Sequence, residues 1–139
     1  MLVLDTNHLR EIALRTHLGE LLMQRLKDSG EDTVTTVVSA EEGLRGWLAR
    51  VAGANDVSEQ IPGYRQFASA ITLFAKYVLL PWDDEAAEMF KDFRRQGIRI
   101  GTADLKIACI TLGHDATLLT RNTVDFARVA GLRFENWLD

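Results

Sequence analysis

Met1-Leu2-Val3-Leu4-Asp5-Thr6-Asn7 opens the chain with a short, unbroken apolar run followed by three polar residues. A run of this kind is the pattern of a strand buried on both faces, as in a parallel sheet covered by helices. Asp, Thr and Asn all cap helices well, so the polar triplet marks the carboxyl end of the strand and the start of a helix.

The rest of the chain repeats this alternation. Helices are expected over Asn7 to about Ala13 and over Leu18 to Lys27, broken near Thr16. Thr33 to Val38 is β-branched and reads as a second strand. Ser39 to about Ala52 reads as a helix, with Leu44, Trp47, Leu48 and Val51 at helical spacing and Ser39 and Glu42 placed as a capping box. A long helix follows over Tyr64 to Lys76, with Ile71, Leu73, Phe74 and Tyr77 read as core, part of it available for dimerisation, then a third strand over Tyr77 to Pro81. Further helices cover Glu85 to Gln96, stopped by Gly97, and Thr102 to Leu112, stopped by Gly113. Ala116 to Thr120 is a fourth strand, Asn122 to Arg128 a short turn of helix, and Leu132 to Trp137 a last edge strand. Strands alternating with helices predict an α/β domain with a central parallel sheet of four to five strands and right-handed crossovers. Ligands in such sheets bind beyond the carboxyl ends of the strands.

Length and composition set bounds. A chain of 139 residues with two prolines and no linker or repeat reads as a single domain over residues 1–139. No apolar run is long enough to span a bilayer, and the opening stretch lacks a basic n-region. The lone Cys109 sits in the apolar run Ile107-Ala108-Cys109-Ile110 and reads as a buried, inert thiol, so a cytoplasmic setting is expected. The net charge of −4 argues against binding nucleic acid by bulk electrostatics. It is compatible with carboxylates gathered at a metal site and basic residues around them.

Four acids follow strand ends or open helices. Asp5 closes the first strand and is also a good helix cap. Glu42 follows the second strand, competes with Glu41, and has a capping-box explanation that helical spacing does not remove. Asp104 opens the almost wholly apolar helix Leu105 to Leu112, where an acid also complements the helix dipole. Asp125 follows the fourth strand, in the first turn after Asn122. Each has an ordinary structural explanation alone. Carboxylates converging on one sheet edge would raise each other's pKa values unless a cation were present. Mg²⁺ prefers oxygen ligands and keeps several waters, a chemistry suited to phosphodiester hydrolysis.

Leu4-Asp5-Thr6-Asn7, Val38-Ser39-Ala40-Glu41-Glu42-Gly43-Leu44-Arg45-Gly46, Gly101-Thr102-Ala103-Asp104-Leu105-Lys106-Ile107-Ala108 and Thr120-Arg121-Asn122-Thr123-Val124-Asp125-Phe126 occur in that order. In this the chain resembles the PIN-domain family, and within it the toxin ribonucleases of VapBC-type toxin–antitoxin pairs. The resemblance covers nearly the whole chain. It implies a three-layer PIN-like fold and an endoribonuclease dependent on Mg²⁺ or Mn²⁺. It also implies a homodimer and a small antitoxin partner that blocks the site. Carried over by position, Asp5, Glu42, Asp104 and Asp125 are the metal-binding and catalytic acids, with Thr6, Thr120 and Asn122 as supporting groups. Glu42 is preferred to Glu41 because the family's acid stands four residues before a glycine, here Gly46. His8 replaces a usual aliphatic residue, and Gly43 a usual Leu or longer residue.

Other residues have weaker readings. His8 is expected at the surface or at a helix cap, and His114 in a structural turn. Trp47, Trp82 and Trp137 can stack on bases, but Trp47 at helical spacing fits core or a dimer interface. Among Arg94, Arg95, Arg99 and Arg121, Arg121 is the strongest phosphate-binding candidate, lying between a strand and an acid. The competing reading is a catalytically silent PIN-like domain that binds protein or RNA. A receiver-type phosphotransfer domain ranks last: Asp83 and Asp84 follow the third strand, but no strand ends in Lys.

Overall fold

Leu2, Val3 and Leu4 form β1, and all three side chains are enclosed. Their alternation divides the core. In a computed structural model that describes residues 1–139, Val3 packs with Val34, Leu118 and Phe93 on one face. Leu2 and Leu4 pack with Leu9, Leu22 and Phe74 on the other. Two cores against one sheet make three layers.

The order along the chain is β1 (Leu2–Leu4), α1 (Thr6–Ala13), α2 (His17–Ser29), β2 (Thr33–Thr36), α3 (Val37–Ala52) and α4 (Ile61–Phe74). It continues with β3 (Leu79–Leu80), α5 (Asp84–Arg95), α6 (Thr102–Gly113), β4 (Thr117–Leu119), α7 (Thr123–Phe126) and β5 (Arg133–Glu135). The five strands are ordered β3-β2-β1-β4-β5. All pairs are parallel, with Val3 opposite Val34 on one side and Leu118 on the other. The α/β class and the parallel sheet agree with the sequence reading. The chain winds outward from β1 to β3, then returns to place β4 on the other side of β1. The crevice beyond the carboxyl ends of β1 and β4 is therefore the topological switch point, where open α/β sheets bind ligands.

The structure corrects several local expectations. The second strand ends at Thr36, not Val38, and α3 begins at once. Its cap is Thr36, whose hydroxyl accepts the Ser39 amide at 3.0 Å. Ser39 is therefore inside the helix and the Ser39–Glu42 capping box does not form. Ile71 is 48% exposed rather than core, while Phe74, one turn further along α4 and rotated toward the sheet, is buried. Gly97 does stop α5 at a left-handed φ of 83°. Gly113 is instead the last residue of α6, and Asp115 takes the left-handed turn at φ 49°. No helix is long and apolar enough to cross a membrane.

Two helical glycines differ in what surrounds them. A Cβ on Gly19 would lie 2.1 Å from the Glu11 carbonyl oxygen, so this glycine lets α2 approach α1. A Cβ on Gly46 would meet nothing within 4 Å. Gly19→Ala should destabilise the fold by about 1–3 kcal/mol or more through overpacking. Gly46→Ala should stabilise it by about 1 kcal/mol through helix propensity. Urea denaturation of both variants checks the opposite signs.

Candidate active site

Asp5 stands directly after β1 and is only 3% exposed. Its Oδ1 accepts the Thr6 amide at 2.7 Å, which makes it the cap of α1. Its Oδ2 accepts the Thr120 hydroxyl at 2.7 Å from the end of β4, and the Asn7 side-chain amide at 3.5 Å. The capping and site explanations hold together, because the two oxygens face different partners. Burial pushes the Asp5 carboxyl up to about 6, with smaller upward contributions from Asp104 and Glu42.

Glu42 lies in the second turn of α3, freed from capping by the early start of that helix. Its Oε1 accepts the Thr6 hydroxyl at 2.8 Å. Glu41 points elsewhere, into an exposed pair with Arg45 at 2.7 Å. Local geometry thus separates the two glutamates where sequence spacing did not.

Asp104 occupies the first turn of α6, and Asp125 that of α7. One side chain joins them: the Asn122 amide donates to Asp104 Oδ2 at 2.9 Å and to Asp125 Oδ2 at 3.0 Å. Asn122 holds the cap position of α7 yet makes no side-chain cap bond. Its backbone amide donates to the Thr120 hydroxyl at 3.0 Å, tying this pair to Asp5. Burial raises the Asp104 pKa, and the charges of Glu42 and Asp125 raise it further. The four acids therefore feel one another at the β1/β4 crevice.

Their donor set is all carboxylate oxygen, the type hard divalent cations take. No group of three or more His, Cys, Asp or Glu side chains is arranged to hold a metal ion directly. By its donor chemistry such a set could hold an ion such as Mg²⁺ only through one or two direct carboxylates, with the others reached through water.

Sequence reasoning missed an adjoining polar hub. His8 is fully buried, contrary to the expected surface or capping role. Its Nε2 accepts the Trp137 amide at 3.3 Å, and its Nδ1 is 2.8 Å from Asn7 Oδ1. Nδ1 therefore carries the proton and donates to Asn7. Burial, then the Arg121 charge, lower the His8 pKa to about 4, so the ring is neutral near pH 7. Asn7 Oδ1 also accepts the Arg121 amide at 3.3 Å. With that oxygen held by two donors, the Asn7 amide turns toward Asp5. The replacement of an aliphatic residue by His8 was the one signal of this hub in the sequence.

Arg121 is not free for phosphate. Its guanidinium pairs with Glu11 at 3.2 Å and Asp139 at 3.3 Å. Asp83, weighed as a phosphoacceptor, caps α5 by accepting the Ala86 amide at 2.9 Å. His114 accepts its turn role, with Nδ1 3.0 Å from the Ile110 carbonyl. Burial pushes the Cys109 thiol up to about 12, consistent with an inert side chain.

Ribonuclease VapC1 of Haemophilus influenzae strain R2866 is 32% identical over 79 residues, 53% of this chain and 59% of that protein. Ribonuclease VapC1 of Rickettsia felis is 25% identical over 135 residues, 94% of this chain and 92% of that protein. The chain is similar in sequence to these VapC ribonucleases. The match to the Haemophilus protein spans little more than half of that protein, whereas the Rickettsia match runs almost end to end. Among solved structures, VapBC-1 from nontypeable Haemophilus influenzae superposes with a TM-score of 0.75 at 20% identity, covering 99% of this chain and 98% of that one. No family model matches the chain. The fold is that of the VapC PIN-like domain.

The raised Asp5 pKa has a consequence for stability. A carboxyl whose folded pKa exceeds its unfolded value contributes fully below pH ~4 and loses that contribution as pH rises through ~6. The penalty from ionising it at neutral pH is about 3 kcal/mol. In chelator, Asp5→Asn should melt above the wild type at pH 7.5, and the gain should fade by pH 4. A variant less stable than wild type at pH 7.5 would contradict this.

Proposed function

We propose that this chain is a Mg²⁺-dependent endoribonuclease that cuts RNA phosphodiester bonds, and that it is the toxin of a toxin–antitoxin pair. The observation that carries the reading is the meeting of Asp5, Glu42, Asp104 and Asp125 at the β1/β4 crevice, each held by a hydroxyl or amide donor. The similarity to proteins named ribonuclease supports the activity.

Asp5, Glu42, Asp104 and Asp125 would hold the ion, directly or through water. Mg²⁺, or Mn²⁺ in its place, supplies polarisation of the phosphate and activation of water when bound. The chain's own residues set the geometry. Thr120 and Thr6 fix the rotamers of Asp5 and Glu42, and Asn122 holds Asp104 against Asp125. Water attacks phosphorus in line and loses a proton to solvent. The P–O3′ bond breaks, and the 3′-oxygen is protonated as it leaves. The products are a 5′-phosphate and a 3′-hydroxyl.

The partners follow from neighbouring surfaces. The solved relatives are VapBC complexes, which supports a small antitoxin as the partner of this chain. A pocket of about 300 Å³ lined by Leu14, Trp47, Leu73 and Phe74 opens beside Glu42 and Thr6, where an apolar partner segment would cover the site. Ile61, Tyr64 and Ile71 are exposed along one side of α4, and this apolar stripe supports a homodimer. The reading places the protein in the cytoplasm, with its RNA. The silent-domain alternative treats the same hydrogen bonds as the whole purpose of the acids.

Asp5→Asn and Asp104→Asn should each lower Mg²⁺-dependent cleavage of RNA by ~100-fold or more, and Thr120→Val by ~10–100-fold. Gel assay of a labelled single-stranded RNA measures this. Cleavage unchanged in both Asn variants would overturn the proposal.

A further inference from the structure

A net-negative chain with four carboxylates in one crevice repels a polyanion, so the crevice needs nearby cations to admit one. The structure sorts the arginines that surround it. Arg94 donates to the Ile98 carbonyl at 2.8 Å and the Ile100 carbonyl at 3.0 Å, and lies over the Phe90 ring. Arg95 faces Asp92, and Arg121 faces Glu11 and Asp139. Each of these has a structural partner.

Arg10, without a carboxylate partner, lines the pocket on the Thr6 and Glu42 side; near Asp104 and Asp125, Arg99 and Arg128 remain. Both are exposed and neither has a carboxylate within ion-pair distance. A single hydrogen bond brings them together: Arg128 Nη1 donates to the Arg99 carbonyl at 3.2 Å. That bond joins two segments that carry acids. Arg99 is two residues before Gly101, whose carbonyl accepts the Leu105 amide at 2.9 Å and so closes the turn holding Asp104. Arg128 donates its backbone amide to the Asp125 carbonyl at 3.1 Å. Arg128 thus reaches the backbone of the segment that leads into Asp104, and both arginines belong to the two segments that carry Asp104, Asn122 and Asp125. Arg128 uses one donor in this contact, which leaves most of its guanidinium fork open.

We infer that Arg99 and Arg128 form a phosphate-gripping lip that binds the RNA backbone to one side of the cut bond. The inference rests on the reading of the acidic crevice as an RNA-cutting site and deepens it. Phosphate contacts supply affinity and register without reading bases, so the lip sets how tightly RNA is held rather than which sequence is chosen.

The experiment measures equilibrium binding of a fluorescent single-stranded RNA across a KCl series, in the full chain carrying Asp104→Asn so that the RNA stays intact. Each lost phosphate contact should reduce the log–log salt slope by about 0.7. Arg99→Gln with Arg128→Gln should therefore flatten the slope by about 1.4 and weaken binding about 25-fold at ~0.1 M salt. Arg99→Lys with Arg128→Lys should retain the slope, which separates charge from loop packing. Arg95→Gln, a cation already facing Asp92, should change neither quantity. A double Gln variant with the parent's slope, or a Lys pair that loses as much as the Gln pair, overturns the lip while leaving the nuclease reading intact. A parent that binds no RNA at any salt overturns both.

Discussion

Mutual repulsion among four carboxylates is the constraint around which this molecule is built. Asp5, Glu42, Asp104 and Asp125 come from four segments distant in the chain, and only the order β3-β2-β1-β4-β5 brings them to one crevice. The crossover that places β4 beside β1 puts Thr120 within 2.7 Å of Asp5. Without that pairing, Asp5 would be an ordinary helix cap. The fold thus holds together charges that water would otherwise separate; burial first, and the neighbouring acids second, raise the pKa values of Asp5 and Asp104.

Polar donors make this tolerable. Every buried side-chain nitrogen and oxygen has a partner, and around the crevice those partners are shared. Thr120 serves both Asp5 and the Asn122 amide, and Asn122 serves two acids. Asn7 accepts from His8 and from Arg121 while its amide faces Asp5. The C-terminal segment joins through Trp137, whose amide reaches His8 and whose ring lies under Arg25 at 4.0 Å. Such networks rigidify a site, because loss of one member leaves others unsatisfied in a poorly hydrated place.

The sheet was legible because its evidence is local. Short apolar runs followed by capping residues mark strand ends, and strand ends mark the site. What depended on distant partners was not legible. Ser39 and Glu42 have capping-box spacing, but Thr36 lies three residues earlier and captures the Ser39 amide first. Arg121 looked free because its partners, Glu11 and Asp139, lie far from it in the chain. His8 looked like a surface residue because nothing near it shows that Trp137 will lie over it. Ile71 shares the helical spacing of the core residues of α4, yet its side of the helix faces solvent. Pattern gives the period of a helix; tertiary contact decides which face is covered.

The central claim is that these acids are held together for a divalent cation rather than for packing alone. Calorimetric titration of the intact, folded protein with Mn²⁺ tests it most directly. The account predicts saturable binding in the wild type, weakened by ~10-fold or more in Asp5→Asn and in Asp104→Asn, with the fold preserved in each. No heat of binding from a folded wild type would contradict it and would leave the four carboxylates as the structural furniture of a silent domain.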